Sequence, residues 1–290
     1  MKVIRSIPDM KQLMSDYRLQ KKQIGFVPTM GYLHEGHLSL MREASKENDI
    51  VVASIFVNPL QFGPNEDYER YPRDEQADAR QAEEAGVDVL FIPAAAEMYP
   101  KPTLIQLGIT DRTDVLCGRS RPGHFEGVLT VLTKLFHIVS PHKVYFGLKD
   151  AQQLAVVDAL IEDLNFPIEL VGLSTVREAD GLAKSSRNVN LTDQERNEAI
   201  WLYKGLQHGQ QLIHHGEQHP DQVVRAVTEI MQQNLSGTID YVELLSYPSL
   251  KPVTTINQQV ILAAAVYFDK ARLIDNLLLD QNGEIVARYD

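Results

Sequence analysis

Apolar and polar residues alternate along the first 176 residues in blocks that predict short buried strands separated by amphipathic helices. Strands are expected where nearly every residue is apolar, and helices where apolar residues recur every three or four positions. The predicted strands are residues 23–28, 49–58, 87–93, 143–147 and 168–176, and the predicted helices are residues 37–48, 75–85, 127–139 and 151–164. Apolar strands separated by helices indicate a parallel sheet covered on both faces, which is a doubly wound, Rossmann-like α/β fold.

The pattern changes after Val176. The next stretch, READGLAKSSRNVN, is polar and has no periodicity, so it predicts a loop. Thr192 and Glu195 then match a capping box, in which each side chain satisfies a free N–H at the start of a new helix. Helices are expected near residues 193–215 and 221–234, and strands near residues 239–246, 259–267 and 271–279. We therefore predict a larger domain at residues 1–176 and a smaller α+β domain at residues 177–290.

Composition narrows the class of protein. The 290 residues are 44% apolar, which is typical of a globular protein, and the apolar run at residues 261–268 is too short to span a membrane. The first residues lack the apolar core of a secretory signal, and Cys117 is the single cysteine, so we expect a cytoplasmic protein. The net charge of −11 argues against a polymeric nucleic acid as partner, but a small anionic substrate fits.

The motif His34-Glu35-Gly36-His37 follows the first predicted strand and begins a predicted helix. A zinc site of the H-E-x-x-H type is disfavoured, because the second histidine comes one residue early and Gly36 would loosen the helix. A second interpretation is that the histidines only flank the helix start. A third is phosphate binding, in which the glycine-containing loop and the helix N-terminus offer N–H groups to an anion. The position after a buried strand favours phosphate binding.

Polar residues also follow two other predicted strands. Asn58 and Gln61 lie in a loop, where their amides either bind a ligand with hydroxyl and carboxylate groups or satisfy the loop backbone. Lys149 and Asp150 join a strand to a helix. The lysine can neutralise phosphate charge, and Asp150 can cap the helix as well as bind a ligand.

The segment Lys184–Arg187, KSSR, lies in the polar stretch after the last strand of the larger domain. It is not a P-loop, because Ala183 stands where a glycine should precede the lysine. Two hydroxyl groups flanked by cations form either an anion clamp or an exposed basic turn.

Taken in order, these segments resemble the pantothenate synthetases (pantoate–β-alanine ligases), a family within the H-x-G-H nucleotidyltransferase-like enzymes. Four blocks between residues 28 and 188 carry the resemblance: PTMGYLHEGHLSL from Pro28, FVNPLQF from Phe56, RPGHFEGV from Arg121 and SSRN from Ser185. The C-terminal part resembles the family chiefly in placement and size.

The resemblance implies an ATP-dependent condensation of (R)-pantoate with β-alanine through a pantoyl adenylate, which gives pantothenate, AMP and pyrophosphate. It implies ATP as co-substrate with Mg²⁺ bridging the triphosphate, and a smaller domain that closes over the ATP site. It also suggests a homodimer formed through the larger domain. No protein-bound metal, nucleic acid or membrane partner is expected.

The resemblance also implies roles for individual residues. The expected catalytic residues are His34, His37, Lys149, Ser186 and Arg187, with His37 as the proton donor. Gln61 and Gln153 are expected to bind pantoate, Gln61 is expected to contact β-alanine as well, and Asn58 completes the predicted pantoate and β-alanine site. The residues expected to contact ATP are Met30, Gly31, Tyr32, Leu33, His34, Glu35, Gly36, His37, Gly147, Leu148, Lys149, Asp150, Val176, Lys184, Ser185, Ser186 and Arg187.

The chain departs from the family pattern at Tyr32, Leu148, Ala151 and Lys184, where alanine, glutamate, an aromatic residue and methionine are usual. Lys184 either strengthens phosphate binding or faces solvent. Two other functions use similar parts: a nucleotidylyltransferase or tRNA synthetase-like enzyme, and a non-catalytic nucleotide-binding regulator. The acidic charge argues against the tRNA enzyme, and the retention of both histidines, Lys149 and the KSSR segment argues against the regulator.

Overall fold

The structure, a computed structural model, describes residues 1–64, 66 and 68–289. Within them the strands are β1 (Lys2–Ile4), β2 (Ile24–Thr29), β3 (Ile50–Ile55), β4 (Val89–Phe91), β5 (Lys143–Gly147), β6 (Glu169–Leu173), β7 (Thr238–Ser246), β8 (Val260–Tyr267), β9 (Arg272–Leu279) and β10 (Arg288–Tyr289). The helices are α1 (Ile7–Leu19), α2 (Glu35–Glu47), α3 (Glu75–Glu84), α4 (Ala95–Met98), α5 (Leu116–Ser120), α6 (His124–Val139), α7 (Ala151–Asp163), α8 (Asp193–His214) and α9 (Pro220–Asn234). Turns of 3₁₀ helix lie at Pro59–Gln61, Leu148–Asp150 and Ser186–Asn190.

A seven-stranded sheet has the order β1-β4-β3-β2-β5-β6-β10, and its first six strands are parallel. Phe26 and Val27 of β2 are both fully buried although they point to opposite faces, because helices cover both sides of the sheet. The chain leaves β2 toward β3 on one side and later reaches β5 on the other, so the strand order reverses between β2 and β5. Ligands bind at such a reversal, beyond the carboxyl ends of the strands. The predicted doubly wound α/β fold is confirmed.

Several element boundaries differ from the prediction for local reasons. The second predicted strand ends at Ile55, because the Asn58 side chain caps a 3₁₀ turn that begins with Pro59. The first predicted helix begins two residues early, because His34 is its N-cap. Five strands and helices were not predicted: β1 and α1 at the start of the chain, the short helices α4 and α5, and β10, which pairs antiparallel with β6.

The second unit packs α8 and α9 against an antiparallel sheet of the order β7-β8-β9, as the predicted α+β pattern requires. The predicted capping box is present, since the Thr192 hydroxyl accepts from the Glu195 N–H and the Glu195 carboxylate accepts from the Thr192 N–H. The boundary between residues 176 and 177 stays a prediction, and β10 belongs to the larger sheet.

Polar contacts fix the connection after β6 to the second unit and the second unit to the larger one. Arg177 forms two hydrogen bonds with the Asp275 carboxylate, at 2.6 and 3.0 Å, and its guanidinium lies 3.6 Å from the centre of the Tyr203 ring. The Tyr247 hydroxyl donates to the Ala151 carbonyl at 3.2 Å. The second unit therefore contacts the first turn of α7, directly beyond the carboxyl end of β5.

Candidate active site

The two histidines are fixed at the start of α2 by the backbone. His34 Nδ1 accepts from the Gly36 N–H at 3.1 Å, and His37 Nδ1 accepts from the His34 N–H at 3.4 Å. Burial lowers the pKa of His34 to about 4 and lowers the pKa of His37 well below its usual range, and the Lys149 ammonium group acts in the same direction. Both rings are thus neutral at pH 7, with the proton on Nε2 because Nδ1 accepts. Each ring offers an Nε2–H donor to a ligand in the cavity that both line.

The loop before α2 is held by a residue that sequence reasoning missed. Asp78 of α3 is 2% exposed, and its carboxylate accepts from the Tyr32 N–H at 2.8 Å and from the Leu33 N–H at 2.7 Å. Gly31 has φ +83°, and a Cβ there would lie 2.8 Å from the Ile55 side chain, so the turn requires glycine. Burial raises the pKa of Asp78, while its two backbone hydrogen bonds oppose that shift. Asp78 therefore sets the position of the loop.

A small cavity of about 180 Å³ lies at the carboxyl ends of β2 and β5. Its polar wall includes two of the three predicted amides, Gln61 and Gln153, beside Met30. Its apolar wall comes from Phe56, Phe146 and the inner face of α6, through Val128, Val131, Leu132 and Leu135. A cavity of this kind binds a small ligand that has an aliphatic body and several oxygen atoms.

The turn after β5 brings charged groups to the same place. Lys149, Asp150 and Gln153 line both the small cavity and a larger cleft of about 490 Å³ between the two units. Asn276 of β9 donates to the carbonyl groups of Leu148 at 3.0 Å and Lys149 at 2.7 Å. The second unit therefore holds the backbone that carries Lys149. This contact was also missed from the sequence.

The KSSR segment closes the third side of the small cavity. Ser185, Ser186 and Arg187 all line it, and the Ser186 hydroxyl donates to the Tyr32 carbonyl at 3.3 Å. Lys184 instead forms an ion pair with Glu178 at 3.1 Å and lines neither the small cavity nor the cleft. This geometry favours a Lys184 side chain that faces solvent over one that strengthens phosphate binding.

Residues of the block RPGHFEGV contact the backbone of the 3₁₀ turn that carries Gln61. His124 Nδ1–H donates to the Gln61 carbonyl at 2.8 Å, and His124 Nε2 accepts from Arg121 at 3.0 Å. Burial lowers the pKa of His124 to about 4, with the Arg121 charge as a second cause. Gly127 packs directly on the 3₁₀ turn, since a Cβ there would lie 2.4 Å from the Leu60 carbonyl oxygen.

Some predicted contact residues lie away from the small cavity. The Glu35 carboxylate pairs with Arg42 on the exposed face of α2. Asn58 is 1% exposed and lies behind Gln61, and the Leu33 side chain is in the core. The backbone carbonyl of Val176 accepts from the Lys184 N–H at 2.9 Å. A direct ligand contact by any of these residues stays a prediction, as it does for Gly31, Tyr32, Gly36, Gly147 and Leu148, which do not line the small cavity.

The fold and the site together define a class. Two neutral histidine donors at a helix start face a lysine across the strand-order reversal of a doubly wound sheet, which is the arrangement expected of an H-x-G-H nucleotidyltransferase-like enzyme.

Comparison with known proteins gives the particular family. A model of the family described as pantoate-beta-alanine ligase matches residues 2–278. The chain is 60% identical over 280 residues to a pantothenate synthetase of Bacillus velezensis, covering 97% of this chain and 98% of that one. It is 58% identical over 280 residues to the Bacillus subtilis pantothenate synthetase, with 97% and 98% covered. The chain belongs to the pantoate–β-alanine ligase family.

Solved structures agree with this assignment. The crystal structure of a Thermus thermophilus pantothenate synthetase matches with a TM-score of 0.91 and 43% identity, covering 96% of this chain and 99% of that one. A Francisella tularensis pantoate-beta-alanine ligase, complexed with beta-gamma ATP and beta-alanine, matches with a TM-score of 0.78 and 34% identity, covering 96% and 97%.

Proposed function

We propose that this protein condenses (R)-pantoate with β-alanine at the expense of ATP and releases pantothenate, AMP and pyrophosphate. One observation carries the proposal: the H-x-G-H donors, Lys149 and two amides meet around a single cavity, in a chain that matches the ligase family over nearly its whole length. The ligands named for the Francisella tularensis relative, ATP and β-alanine, support the same choice of substrates.

The small cavity suits pantoate. The carbon skeleton of pantoate is a short chain with a dimethyl centre, which matches the aliphatic wall formed by α6. Gln61 and Gln153 supply neutral hydrogen-bonding groups for its hydroxyl and carboxylate oxygens. The larger cleft is then available to ATP, because Lys149, Asp150, Ser185 and Arg187 line it, and the phosphates must reach the small cavity, where the two histidines lie.

In the first step, a pantoate carboxylate oxygen attacks the α-phosphorus of ATP and pyrophosphate leaves, which gives pantoyl adenylate. Negative charge develops on the phosphate oxygens, and the Nε2–H groups of His34 and His37 donate hydrogen bonds to them. Because both rings are neutral, they act as hydrogen-bond donors and not as cations. Lys149, Ser186 and Arg187 add positive charge and a further donor on the other side.

In the second step, the neutral amine of β-alanine attacks the acyl carbon of the adenylate, the bond to AMP breaks and the amide forms. The amine loses its proton as the bond forms, and the AMP phosphate is the adjacent base. The protein supplies position and charge stabilisation and forms no covalent intermediate.

We also propose that Mg²⁺ is carried by the nucleotide. Among the described residues, no group of three histidine, cysteine, aspartate or glutamate side chains could hold a metal ion. Of the described residues that line the small cavity, only Asp150 carries a carboxylate. One carboxylate together with substrate phosphates is a usual Mg²⁺ environment, so Asp150 fits. When bound, the ion would neutralise triphosphate charge.

Exchange of labelled pyrophosphate into ATP tests the proposal. We expect exchange that requires pantoate and not β-alanine, followed by release of AMP and pantothenate when β-alanine is added. Exchange supported only by another acid, or no exchange with any carboxylic acid, would show that the proposed function is wrong.

Two further features are proposed with the function. We expect a homodimer that uses residues 100–115, because Leu104 is 100% exposed and Ile105 is 76% exposed in a segment of the larger unit. Light scattering should give twice the chain mass, and L104D/I105D should halve it. We also propose a cytoplasmic location, which agrees with the free thiol of Cys117. None of the helices in the described part of the chain combines the length and apolar composition of a transmembrane segment.

A further inference from the structure

The amide of Asn58 has one permitted direction. Its Oδ1 accepts from the Tyr99 hydroxyl at 2.9 Å and from the Leu60 N–H at 3.3 Å. Its Nδ2 donates to the Gly127 carbonyl at 3.0 Å and to Gln61 Oε1 at 3.1 Å. A reversed amide would place an NH₂ group against the Leu60 N–H and an oxygen against the Gly127 carbonyl, so two buried contacts would become repulsive.

The direction of Asn58 decides which end of Gln61 faces the ligand. Gln61 Oε1 is occupied by Asn58 Nδ2, while Gln61 Nε2 lies 3.4 Å from the Met30 sulfur at the cavity wall. A thioether sulfur is a weak acceptor, so the NH₂ group keeps most of its capacity to donate. Gln61 therefore presents a donor to an oxygen atom of the bound ligand.

Tyr99 lies outside the small cavity, but its hydroxyl contacts Asn58 and can therefore act on the Asn58–Gln61 pair. It follows α4, its ring packs against Phe56 with 6.1 Å between centres, and the Lys134 ammonium group lies 5.4 Å from its ring centre. Its hydroxyl stays protonated, because burial raises its pKa above the ordinary value. Asn58 Oδ1 accepts two hydrogen bonds, and the one from the Tyr99 hydroxyl is shorter than the one from the Leu60 N–H. Without the hydroxyl, only the longer bond would remain.

We propose that Tyr99 is a positioning residue for pantoate binding: it holds the Asn58 side chain, whose amide direction is set by Leu60 and Gly127, in the place where its NH₂ group keeps Gln61 Oε1 occupied and leaves Gln61 Nε2 as a donor to pantoate. The inference rests on the proposed function, because pantoate is taken as the ligand beside Gln61. Tyr99 acts through Asn58 and Gln61 and does not contact the substrate.

The test is Y99F, which keeps the ring and removes the hydroxyl. We expect the KM for pantoate in pyrophosphate exchange to rise roughly three- to tenfold, the range that corresponds to loss of one neutral hydrogen bond. The KM for ATP and the rate at saturating pantoate should stay within about twofold, because the phosphate-binding groups are untouched. An unchanged KM for pantoate would overturn the proposal.

Y145F is the matched control. The Tyr145 hydroxyl also makes partly buried hydrogen bonds, at 2.7 Å with Asn48 and 2.9 Å with Glu47, and it lines neither the small cavity nor the cleft. We expect Y145F to lower the melting temperature and to leave every KM unchanged. A rise in the KM for pantoate in both variants would mean that loss of a buried hydroxyl has a general effect, and the proposal would be wrong.

A double-mutant cycle with Gln61 separates positioning from a merely structural role. If Tyr99 acts through Gln61, Y99F should add no further loss in a Q61A background. Equal effects of Y99F in both backgrounds would overturn the proposal. The proposed function has its own criterion, since it fails if the unaltered protein shows no pantoate-dependent exchange.

Discussion

The active site combines two kinds of support, and they differ in the groups that provide them. The groups at the carboxyl ends of β2 and β5 are fixed by buried backbone contacts: the Asp78 carboxylate holds the loop before α2, and Asn276 holds the turn that carries Lys149. The KSSR segment is held in part by side-chain contacts: the Ser186 hydroxyl donates to the Tyr32 carbonyl at 3.3 Å, and Lys184 pairs with Glu178 in a partly exposed position.

The two kinds of support suit two different tasks: stabilising charge and adjusting to the nucleotide. Donors that stabilise developing charge act best when their position is set before the substrate binds, since no reorganisation is then needed. The strand-end groups meet that requirement. Side chains that make longer or partly exposed contacts, such as those of Ser186 and Lys184, can adjust to the nucleotide after it binds. We therefore expect substitutions at the strand ends to change the rate more than substitutions in the outer part of the KSSR segment.

The largest effect is expected from Lys149→Ala. Loss of its charge should slow pantoate-dependent pyrophosphate exchange by roughly 10²- to 10³-fold. The fold should be unaffected, so the melting temperature should change little. Lys46→Ala, which removes an exposed lysine of α2, is the control. Near-normal turnover in the Lys149 variant would remove this residue from the mechanism.

Asp78→Asn tests whether the loop before α2 must be held in place. The substituted amide would turn an NH₂ group toward one of two backbone N–H donors, so we expect a loss of about 1–3 kcal/mol in the free energy of unfolding. The exchange rate should fall by roughly 10- to 100-fold, because the histidine donors follow that loop. Urea unfolding and exchange measure the two effects. Asp74→Asn should change neither greatly, because asparagine also serves as the N-cap of α3.

Asn276→Ala tests the support that the second unit gives to Lys149. Two carbonyl groups lose their donor, and we expect the exchange rate at saturating substrates to fall about tenfold. The KM for pantoate should change little, since Gln61 and its support remain. The control is Asn282→Ala, whose side chain pairs with Asp280 in an exposed turn. An unaltered rate would show that the turn after β5 holds itself in place.

Acid should weaken the rigid part of the site in a defined direction. The pKa of His34 is about 4 in the folded protein, below its usual value of 6.5, so the unfolded chain takes up the proton first. The free energy of unfolding should therefore fall as the pH drops from 7 toward 4, by at most about 1.4 kcal/mol per pH unit for this group and by less because it is partly exposed. His34→Asn, which keeps an N-cap acceptor, should flatten the slope in urea titrations. An equal slope in the unaltered protein and the variant would contradict the lowered pKa of His34.

The smallest effect is expected from Lys184→Met. Since Lys184 pairs with Glu178 and lies outside both cavities, its removal costs an ion pair worth about 0–1 kcal/mol. We expect the KM for ATP to change by no more than about twofold in steady-state assays. A tenfold increase would show that Lys184 leaves Glu178 for the nucleotide, and the contrast between the two kinds of support would be weaker than proposed.

Much of this architecture could be predicted because its signals are local. β2 and β3 are buried on both faces and are almost wholly apolar, and the Thr192–Glu195 capping box needs only four residues. The residues that support the site have no such signal. Asp78 has the sequence context of an ordinary surface residue of a helix, and Asn276 that of a polar residue in a strand. Their partners lie 45 and 128 residues away in the chain, so their roles appear only after the fold brings them together.

Strand β10 has a mechanical consequence. The chain leaves the larger sheet after β6, builds the second unit and returns to pair with β6, and the Ser174 hydroxyl donates to the Ala287 carbonyl where the two connections meet. A body attached by one flexible connection can rotate in any direction, whereas two connections bound side by side leave it essentially one axis. We therefore expect any opening of the cleft to be a swing about this pair of strands.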